Sequence, residues 1–329
     1  MPRPLLRALA ACVVLLLALA GCSSGGSGDA AQPAPADDAP TGAFPVTLTH
    51  AFGQTTIPAA PQRVVTVGFN DADFALALGV KPVGVRENIG DYDYAKRPWA
   101  QEALGGTQPQ LLTGSQIPVE QVAALRPDLI LGVYSFMDQA TYTALSQIAP
   151  TVAQGTPDGT NAAGWEEQTR ITGQATGRTE QAEQVIAATR AEFDEAKAAH
   201  PDFAGTNLKM DFFIEGVPYD MGTDDLRAQI FAGLGFTVRP DSQTLSLERQ
   251  GDLDSDVLVV LGRSRAESEA DPVFRAIPAV QQGRVAYLGP FETEFAAALG
   301  YSSPLSLPYA IDTVAPQLDA ALQGRAPGS

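Results

Sequence analysis

Short runs rich in valine, isoleucine and leucine occur in two sets along this chain, and they constrain its fold more than any other feature. The first set comprises Val64–Val67, Pro82–Val85 and Asp128–Val133, and the second comprises Met210–Ile214, Asp256–Leu261 and Arg284–Leu288. Apolar runs without alternation are typical of strands buried on both faces of a mostly parallel sheet. Segments with helical spacing lie between the runs, so each set predicts a Rossmann-like α/β lobe.

A helical segment separates the two sets of strands. Apolar and small residues recur at helical spacing from Ala182 through Lys197, with charged residues on the opposite face. The weaker pattern of Trp165–Ala175 ends at Gly177, a residue type that commonly terminates helices. A helix of about 20 residues is about 30 Å long. We therefore predict two lobes joined by one long helix, which is a rigid bridge and not a loose hinge.

These patterns divide the body of the chain into four segments. We predict an N-terminal α/β lobe at 44–163, bridging helices at 164–203, a C-terminal α/β lobe at 204–303, and a C-terminal helix and tail at 304–329. A body of about 285 residues exceeds what one hydrophobic core usually serves, which also favours two lobes.

The N-terminus has the pattern of an export signal. Arg3 and Arg7 begin an apolar stretch that ends at Ala20 and is too short to cross a membrane as a helix. Residues 1–21 are therefore predicted to be a signal peptide. Leu19–Cys22 resembles the bacterial lipobox, which implies that Cys22 becomes the lipid-bearing first residue of the mature chain. The alternative is ordinary secretory cleavage that leaves a cysteine nearby.

Residues 22–43 are predicted to be a lipid-anchored flexible linker. The stretch from Ser23 to about Thr41 has no bulky apolar residue and cannot bury enough surface to fold. The formal charge of −17 becomes −19 once Arg3 and Arg7 are removed with the leader. Because such a surface repels nucleic acid and anionic lipid, we expect no nucleic-acid partner. We expect attachment to the extracytoplasmic face of the cell membrane through the lipid at Cys22 alone.

The scarcity of cysteine and histidine excludes several kinds of site. Cys12 and Cys22 both belong to the leader or its edge, and the body has only His50 and His200. Structural disulfides and thiolate metal sites are therefore excluded from the body, and a site for bare zinc or manganese is disfavoured. The body of the chain also lacks the Gly-x-Ser-x-Gly motif of many hydrolases. We expect no catalytic residues, no metal-ligating residues and no cofactor.

Five motifs, taken together in their order and spacing, resemble those of the siderophore-binding lipoproteins of bacterial ABC importers. They are Pro61–Val65, Gly79–Val85, Leu125–Ile130, Thr176–Arg178 and Ser303–Ser306. The resemblance extends from Phe44 to Leu322 and implies the class III periplasmic binding protein fold. It further implies a monomer that holds a ferric chelate in a shallow groove and then docks on a permease dimer. A siderophore already occupies the coordination sphere of Fe(III), which agrees with a body that lacks metal ligands.

Six residues are candidates for contact with this ligand. Ligands of open α/β sheets bind beyond the carboxyl ends of the strands. The candidates at or near such positions, besides Asn70, are Arg86, Tyr134, Tyr219, Arg227 and Arg263. Arginine donates paired hydrogen bonds to ligand oxygens, and tyrosine offers an apolar face with a hydroxyl. Each could instead serve the surface or the packing: Arg86 beside Glu87, or Arg263 beside Arg265 in a surface network.

The two tryptophans are interpreted differently. Trp99 is the sixth candidate, because its segment often faces the ligand in the proteins that the chain resembles. Trp165 begins the bridging segment and is interpreted as a packing anchor.

Glu120 and Glu248 occupy equivalent places, each shortly before a buried strand of its lobe. An acidic residue in the first turn of a helix is also favoured by the helix dipole, which is the simpler interpretation. The resemblance implies that these glutamates protrude from the two lobes and contact arginines of the permease.

The favoured function is therefore capture of a ferric siderophore, with a hydroxamate favoured over a catecholate, and its delivery to an ABC importer. Haem and cobalamin remain alternatives within the same class of protein. A surface-anchored hydrolase, a sensor or an adhesin are alternatives of other classes.

Overall fold

A computed structural model describes residues 44–86, 96–157 and 163–325. The predictions for the signal peptide, for Cys22 and for the linker up to residue 43 lie outside these ranges, as does the end of the tail. Within the described ranges no helix combines the length and the apolar character needed to cross a membrane.

The N-terminal lobe is built on a five-stranded parallel sheet. A hairpin of β1 (Val46–His50) and β2 (Gly53–Ile57) precedes it. The elements that follow are β3 (Val64–Thr66), α1 (Asp71–Ala77), β4 (Gly84–Arg86), α2 (Gln101–Leu104), β5 (Gln110–Leu112), α3 (Val119–Ala124), β6 (Leu129–Gly132), α4 (Gln139–Ser146) and β7 (Thr151–Ala153). The strand order is β5-β4-β3-β6-β7. Val65, Ile130 and Leu131 are fully buried, as expected for strands covered on both faces.

Two helices connect the lobes. They are α5 (Trp165–Thr176) and α6 (Thr179–Ala199), and α6 has 21 residues, which corresponds to a length of about 30 Å. Gly177, with φ of 72°, ends α5 in the left-handed conformation that glycine adopts easily. Trp165 stacks on Phe193 of α6 with ring centroids 6.4 Å apart, so this tryptophan packs within the bridge.

The C-terminal lobe has a second five-stranded sheet, with the order β10-β9-β8-β11-β12. Its elements are β8 (Leu208–Ile214), β9 (Val217–Met221), α7 (Leu226–Gly233), β10 (Gln243–Thr244), β11 (Val257–Leu261), α8 (Arg265–Ala270), α9 (Pro272–Arg275), α10 (Pro278–Gln281), β12 (Val285–Gly289), α11 (Glu294–Tyr301) and α12 (Ser306–Leu322). β8, β11 and β12 are parallel, whereas β9 and β10 are antiparallel. The two α/β lobes and the long helix between them confirm the predicted fold class.

A buried polar cluster forms a second connection between the lobes. Asp73 of α1 has no exposed surface, and its carboxylate accepts hydrogen bonds from Arg97, from the Trp99 indole (2.8 Å) and from the Ser303 hydroxyl (3.2 Å). Nearby, the Asn70 side-chain amide donates to the Tyr301 carbonyl oxygen at 3.0 Å. A buried carboxylate is costly unless it is paired, so Asp73 requires these donors. Because Ser303 is one of them, the cluster ties α1 to the turn between α11 and α12.

Candidate functional site

A groove lies between the lobes at the carboxyl ends of the parallel strands. It consists of three connected cavities: an N-lobe cavity of about 340 Å³, a central cavity of about 430 Å³ and a C-lobe cavity of about 520 Å³. Phe69 and Phe136 line both the N-lobe and the central cavity. Ile214 and Phe291 line both the central and the C-lobe cavity. Open α/β sheets bind ligands at such a place.

Aromatic side chains form the N-lobe wall of the central cavity. Phe69 follows β3, and Tyr134 and Phe136 follow β6. The ring centroids of Tyr134 and Phe136 are 5.0 Å apart, and those of Phe69 and Phe136 are 6.0 Å apart. Phe136 is 48% exposed although it is large and apolar. Exposed aromatic faces of this kind are typical of sites that bind a bulky, partly apolar ligand.

The C-lobe wall carries a second aromatic pair. The rings of Phe212, on β8, and Phe291, after β12, are 5.0 Å apart. The sequence interpretation missed Phe69, Phe136, Phe212 and Phe291. A usable signal existed for both Phe69, which is adjacent to Asn70 after a predicted strand, and Phe136, which lies two residues from the candidate Tyr134.

Arg86 lies at the end of β4 and lines the N-lobe cavity. Its guanidinium lies over the Phe69 ring at 4.1 Å and donates weak hydrogen bonds to the carbonyl oxygens of Ser115 (3.2 Å) and Ser135 (3.4 Å). Burial lowers its pKa from the usual value. Among the described residues no carboxylate lies within ion-pair distance of Arg86, and the alternative partner Glu87 lies outside the described ranges.

Arg227 lines the central cavity and is paired internally. Its guanidinium donates two hydrogen bonds to the Asp225 carboxylate at 2.7 and 2.5 Å, and it lies 4.2 Å from the centroid of the Phe212 ring. Tyr134 faces this pair across the cavity. Burial raises the pKa of its hydroxyl, and the charge of Arg227 partly offsets that effect.

Arg263 is more deeply buried than expected of a surface network. It is only 4% exposed, and its guanidinium lies between the rings of Phe213 (4.2 Å) and Phe274 (4.4 Å). It donates to Asp211 at 2.5 Å and to Gln250 at 3.1 Å. Burial raises the pKa of Asp211 to about 6, against the opposing effect of the arginine charge. Arg263 therefore contributes to the wall of the C-lobe cavity as half of a buried ion pair.

Two of the candidates lie elsewhere. Tyr219 was placed after a strand, but it lies within β9, because β8 and β9 form an antiparallel hairpin. It opposes Phe212 in that hairpin and does not line the central cavity. Trp99 packs between Tyr301 and Tyr309 and donates to Asp73. The buried carboxylate thus holds this tryptophan in the connection between the lobes and not on the aromatic wall of the groove.

Glu120 and Glu248 are both exposed and lie in equivalent elements. Glu120 is in the first turn of α3, which precedes β6. Glu248 is in the first turn of the 3-10 helix Leu247–Leu253, which precedes β11. Their role in docking stays a prediction.

Both histidines have structural partners. His50 bonds through Nε2 to the Thr55 hydroxyl at 2.9 Å, and His200 pairs with Asp319 at 2.6 Å while stacking on Phe203. In the described part of the chain no three His, Cys, Asp or Glu side chains are grouped as a metal site would require. The groove thus offers aromatic faces and guanidinium donors as its means of binding.

Two α/β lobes, a bridging helix and a groove at the strand ends define a substrate-binding protein of the periplasmic type. Comparison with known families agrees, because the model of the periplasmic binding protein family matches residues 64–291. The chain belongs to this family, whose members are binding proteins and not enzymes.

Several individual proteins are similar to the chain. A periplasmic solute-binding protein of Mycobacterium smegmatis is 34% identical, with a TM-score of 0.74 over 84% of this chain and 98% of that one. PiaA of Streptococcus pneumoniae, solved in complex with ferrichrome, is 26% identical, with a TM-score of 0.74 over 84% and 99% of the two chains. YfiY of Bacillus subtilis, a lipoprotein named for siderophore binding, is 31% identical over 63% of this chain. That match spans 61% of the length of YfiY.

Proposed function

We propose that this protein captures a ferric siderophore in the groove between its lobes and delivers it to an ABC importer. The observation that carries the proposal is the set of three connected cavities, which offers aromatic faces and one guanidinium without a carboxylate partner among the described residues. A ferric chelate needs these groups and needs no ligand from the protein to its iron. The names of YfiY and of the PiaA complex with ferrichrome support the same ligand class.

A hydroxamate siderophore is favoured over a catecholate. Three hydroxamates neutralise Fe(III), whereas three catecholates leave the complex strongly anionic. Of the three groove arginines, Arg227 and Arg263 already bond to carboxylates of the protein, so the groove has little spare positive charge for an anion.

Calorimetric titration of the purified body tests this proposal. Ferrichrome, ferric enterobactin, haem, cobalamin and zinc would each be titrated under identical conditions. We expect a ferric siderophore to bind much more tightly than haem, cobalamin or zinc. Tightest binding of haem or cobalamin, or no binding of any ferric chelate, would contradict the proposal.

The variant Arg86→Ala tests whether the groove is the binding site. Loss of a hydrogen bond to a charged group costs about 1.5–3 kcal/mol, so affinity should fall roughly ten- to a hundredfold. Arg249→Ala is the matched control, because Arg249 is 62% exposed and pairs only with Asp252 among the described residues. Equal affinity in the two variants would remove Arg86 from the binding site.

We further propose that Cys22 carries the lipid that holds the protein at the outer face of the cell membrane. Two or more acyl chains give lasting attachment, which one chain does not. The variant Cys22→Ser should be released from the membrane fraction or remain unprocessed. Normal processing together with retention in the membrane fraction would show that the anchor lies elsewhere.

A further inference from the structure

Asp225 bonds both to the backbone and to the side chain of Arg227, and so determines the net charge at this part of the central cavity. It begins α7 as the N-cap residue, where its carboxylate accepts a hydrogen bond from the Arg227 backbone amide at 2.9 Å. The same carboxylate accepts both side-chain hydrogen bonds of Arg227 described above. The side chains of Asp225 and Arg227 are 15% and 26% exposed, so the pair is only partly accessible to water. A cation and an anion in contact at this depth present almost no net charge to a ligand.

The remainder of the groove does not supply the missing positive charge. Arg263 is neutralised in the same way by Asp211. Among the residues that line the three cavities, the carboxylates without an ion-pair partner in the described part of the chain outnumber the cations. They are Asp138, Glu215, Glu267, Asp271 and Glu292. A ligand with several negative charges would therefore meet repulsion, with Arg86 as its main attraction within the described lining.

We propose that Asp225 is a specificity-determining residue, which cancels the charge of Arg227 and restricts the groove to ferric chelates without net negative charge. This inference rests on the proposed function. It assigns to the groove a preference for neutral or cationic hydroxamate complexes. The Asp225 carboxylate alone would then select against anionic chelates, without contacting the iron-binding groups of the ligand.

The variant Asp225→Asn separates the charge of this residue from its capping role. Asparagine is as good an N-cap residue as aspartate, so α7 keeps its first hydrogen bond while Arg227 becomes an uncompensated cation. Affinities for ferrichrome and for ferric enterobactin would be measured by calorimetry in wild type and variant. We expect the ratio of affinities to shift toward the anionic chelate by about tenfold or more. The shift should shrink with added salt, because Arg227 is partly exposed.

Three further variants make the result specific. Asp128→Asn is the control. It also removes a carboxylate that accepts hydrogen bonds from backbone amides, those of Gln62 and Arg63. Asp128 lies at the amino end of β6, away from the groove. This variant should leave the ratio of affinities unchanged. In the double variant Asp225→Asn with Arg227→Gln, the shift should disappear, because the cation that Asp225 balances is gone. If Asp225→Asn unfolds, Asp225→Ser replaces it, because the serine hydroxyl oxygen can also accept the N-cap hydrogen bond.

The outcomes distinguish this inference from the function on which it rests. The inference is overturned if wild type binds ferric enterobactin as tightly as ferrichrome, or if Asp225→Asn and Asp128→Asn give the same ratio. In both cases the protein still binds a ferric siderophore and the proposed function stands. Failure of wild type to bind any ferric chelate overturns the proposed function itself.

Discussion

At the scale of single residues, the three groove arginines differ because of their neighbours and not because of their own chemistry. Arg86 has only backbone carbonyl partners in the described part of the chain. Arg227 is neutralised by a residue two positions earlier, and Arg263 by a residue 52 positions earlier. An arginine binds an anionic ligand group well only when its donors are free, so the partner decides the role.

A buried acid near the groove gives a pH-dependent stability. Asp71 begins α1, is 1% exposed, and has a pKa raised to about 7 by burial. The folded state therefore holds a proton that the unfolded chain has lost between about pH 4 and pH 7. Consequently the stability from this group is present below pH 4 and is lost as the pH rises toward 7.

We expect Asp71→Asn to remove that part of the pH dependence. The free energy of unfolding of wild type should fall by a few kcal/mol, relative to the variant, between about pH 4 and pH 8. Urea denaturation at a series of pH values measures the difference. Asp211, whose pKa is raised to about 6, makes the same pH-dependent contribution to stability in both proteins, and this contribution cancels in the comparison. Parallel pH profiles would show that Asp71 is ionised in the folded protein.

The residue types at the groove could be predicted from the sequence, whereas their partners could not. Arg86, Tyr134 and Arg227 line the cavities because the carboxyl ends of parallel strands share one edge. The role of Trp99 depends on Asp73, a residue that looks like an ordinary first-turn acid of a helix in the sequence. Only the fold reveals that this carboxylate is buried and needs the indole as a donor.

At the scale of the elements, the long apolar runs were predictable, whereas the short edge strands β5, β7 and β10 were not. β6 and β11 are interior strands buried on both faces, so their sequence is apolar throughout. β5, β7 and β10 have two or three residues each, too few to show a period. The antiparallel β9 was missed because its alternating pattern includes Pro218 and Asp220, and this led to the misplacement of Tyr219.

The connection between the lobes should limit their closure. α5 and α6 are in close contact, since a Cβ on Gly173 would lie 2.6 Å from that of Ala182. Arg190 also bonds to Glu166 across the two helices at 2.7 and 2.5 Å. Together with the cluster at Asp73, these contacts oppose bending between the lobes.

We therefore expect ligand binding to change the overall shape only slightly. The radius of gyration, measured by solution scattering with and without ferrichrome, should be nearly constant. Ala188→Pro, at an exposed position in the middle of α6, is the comparison, because proline kinks a helix and should permit a larger change. A decrease of several ångströms in wild type would contradict the rigid bridge.

At the scale of the whole molecule, Glu120 and Glu248 provide one exposed carboxylate on each lobe. Each lies in the first turn of the element that precedes an interior strand of its sheet. Because the elements are equivalent in the two lobes, we expect the two side chains to lie on either side of the groove. A permease with arginines at both points would align the groove with its channel. Exposed pairs contribute only about 0–1 kcal/mol each, so their effect is on alignment more than on affinity.

Charge reversal at these positions should separate ligand binding from transport. In Glu120→Arg and Glu248→Arg, siderophore affinity should equal that of wild type, while uptake of iron by cells that express the full chain should fall sharply. The double reversal should have the largest effect, because both contacts are lost. Glu195→Arg is the matched control, since Glu195 is exposed on α6, and it should transport normally. Persistent uptake in the double reversal, or a parallel loss of affinity, would show that these glutamates do not dock the protein on its permease.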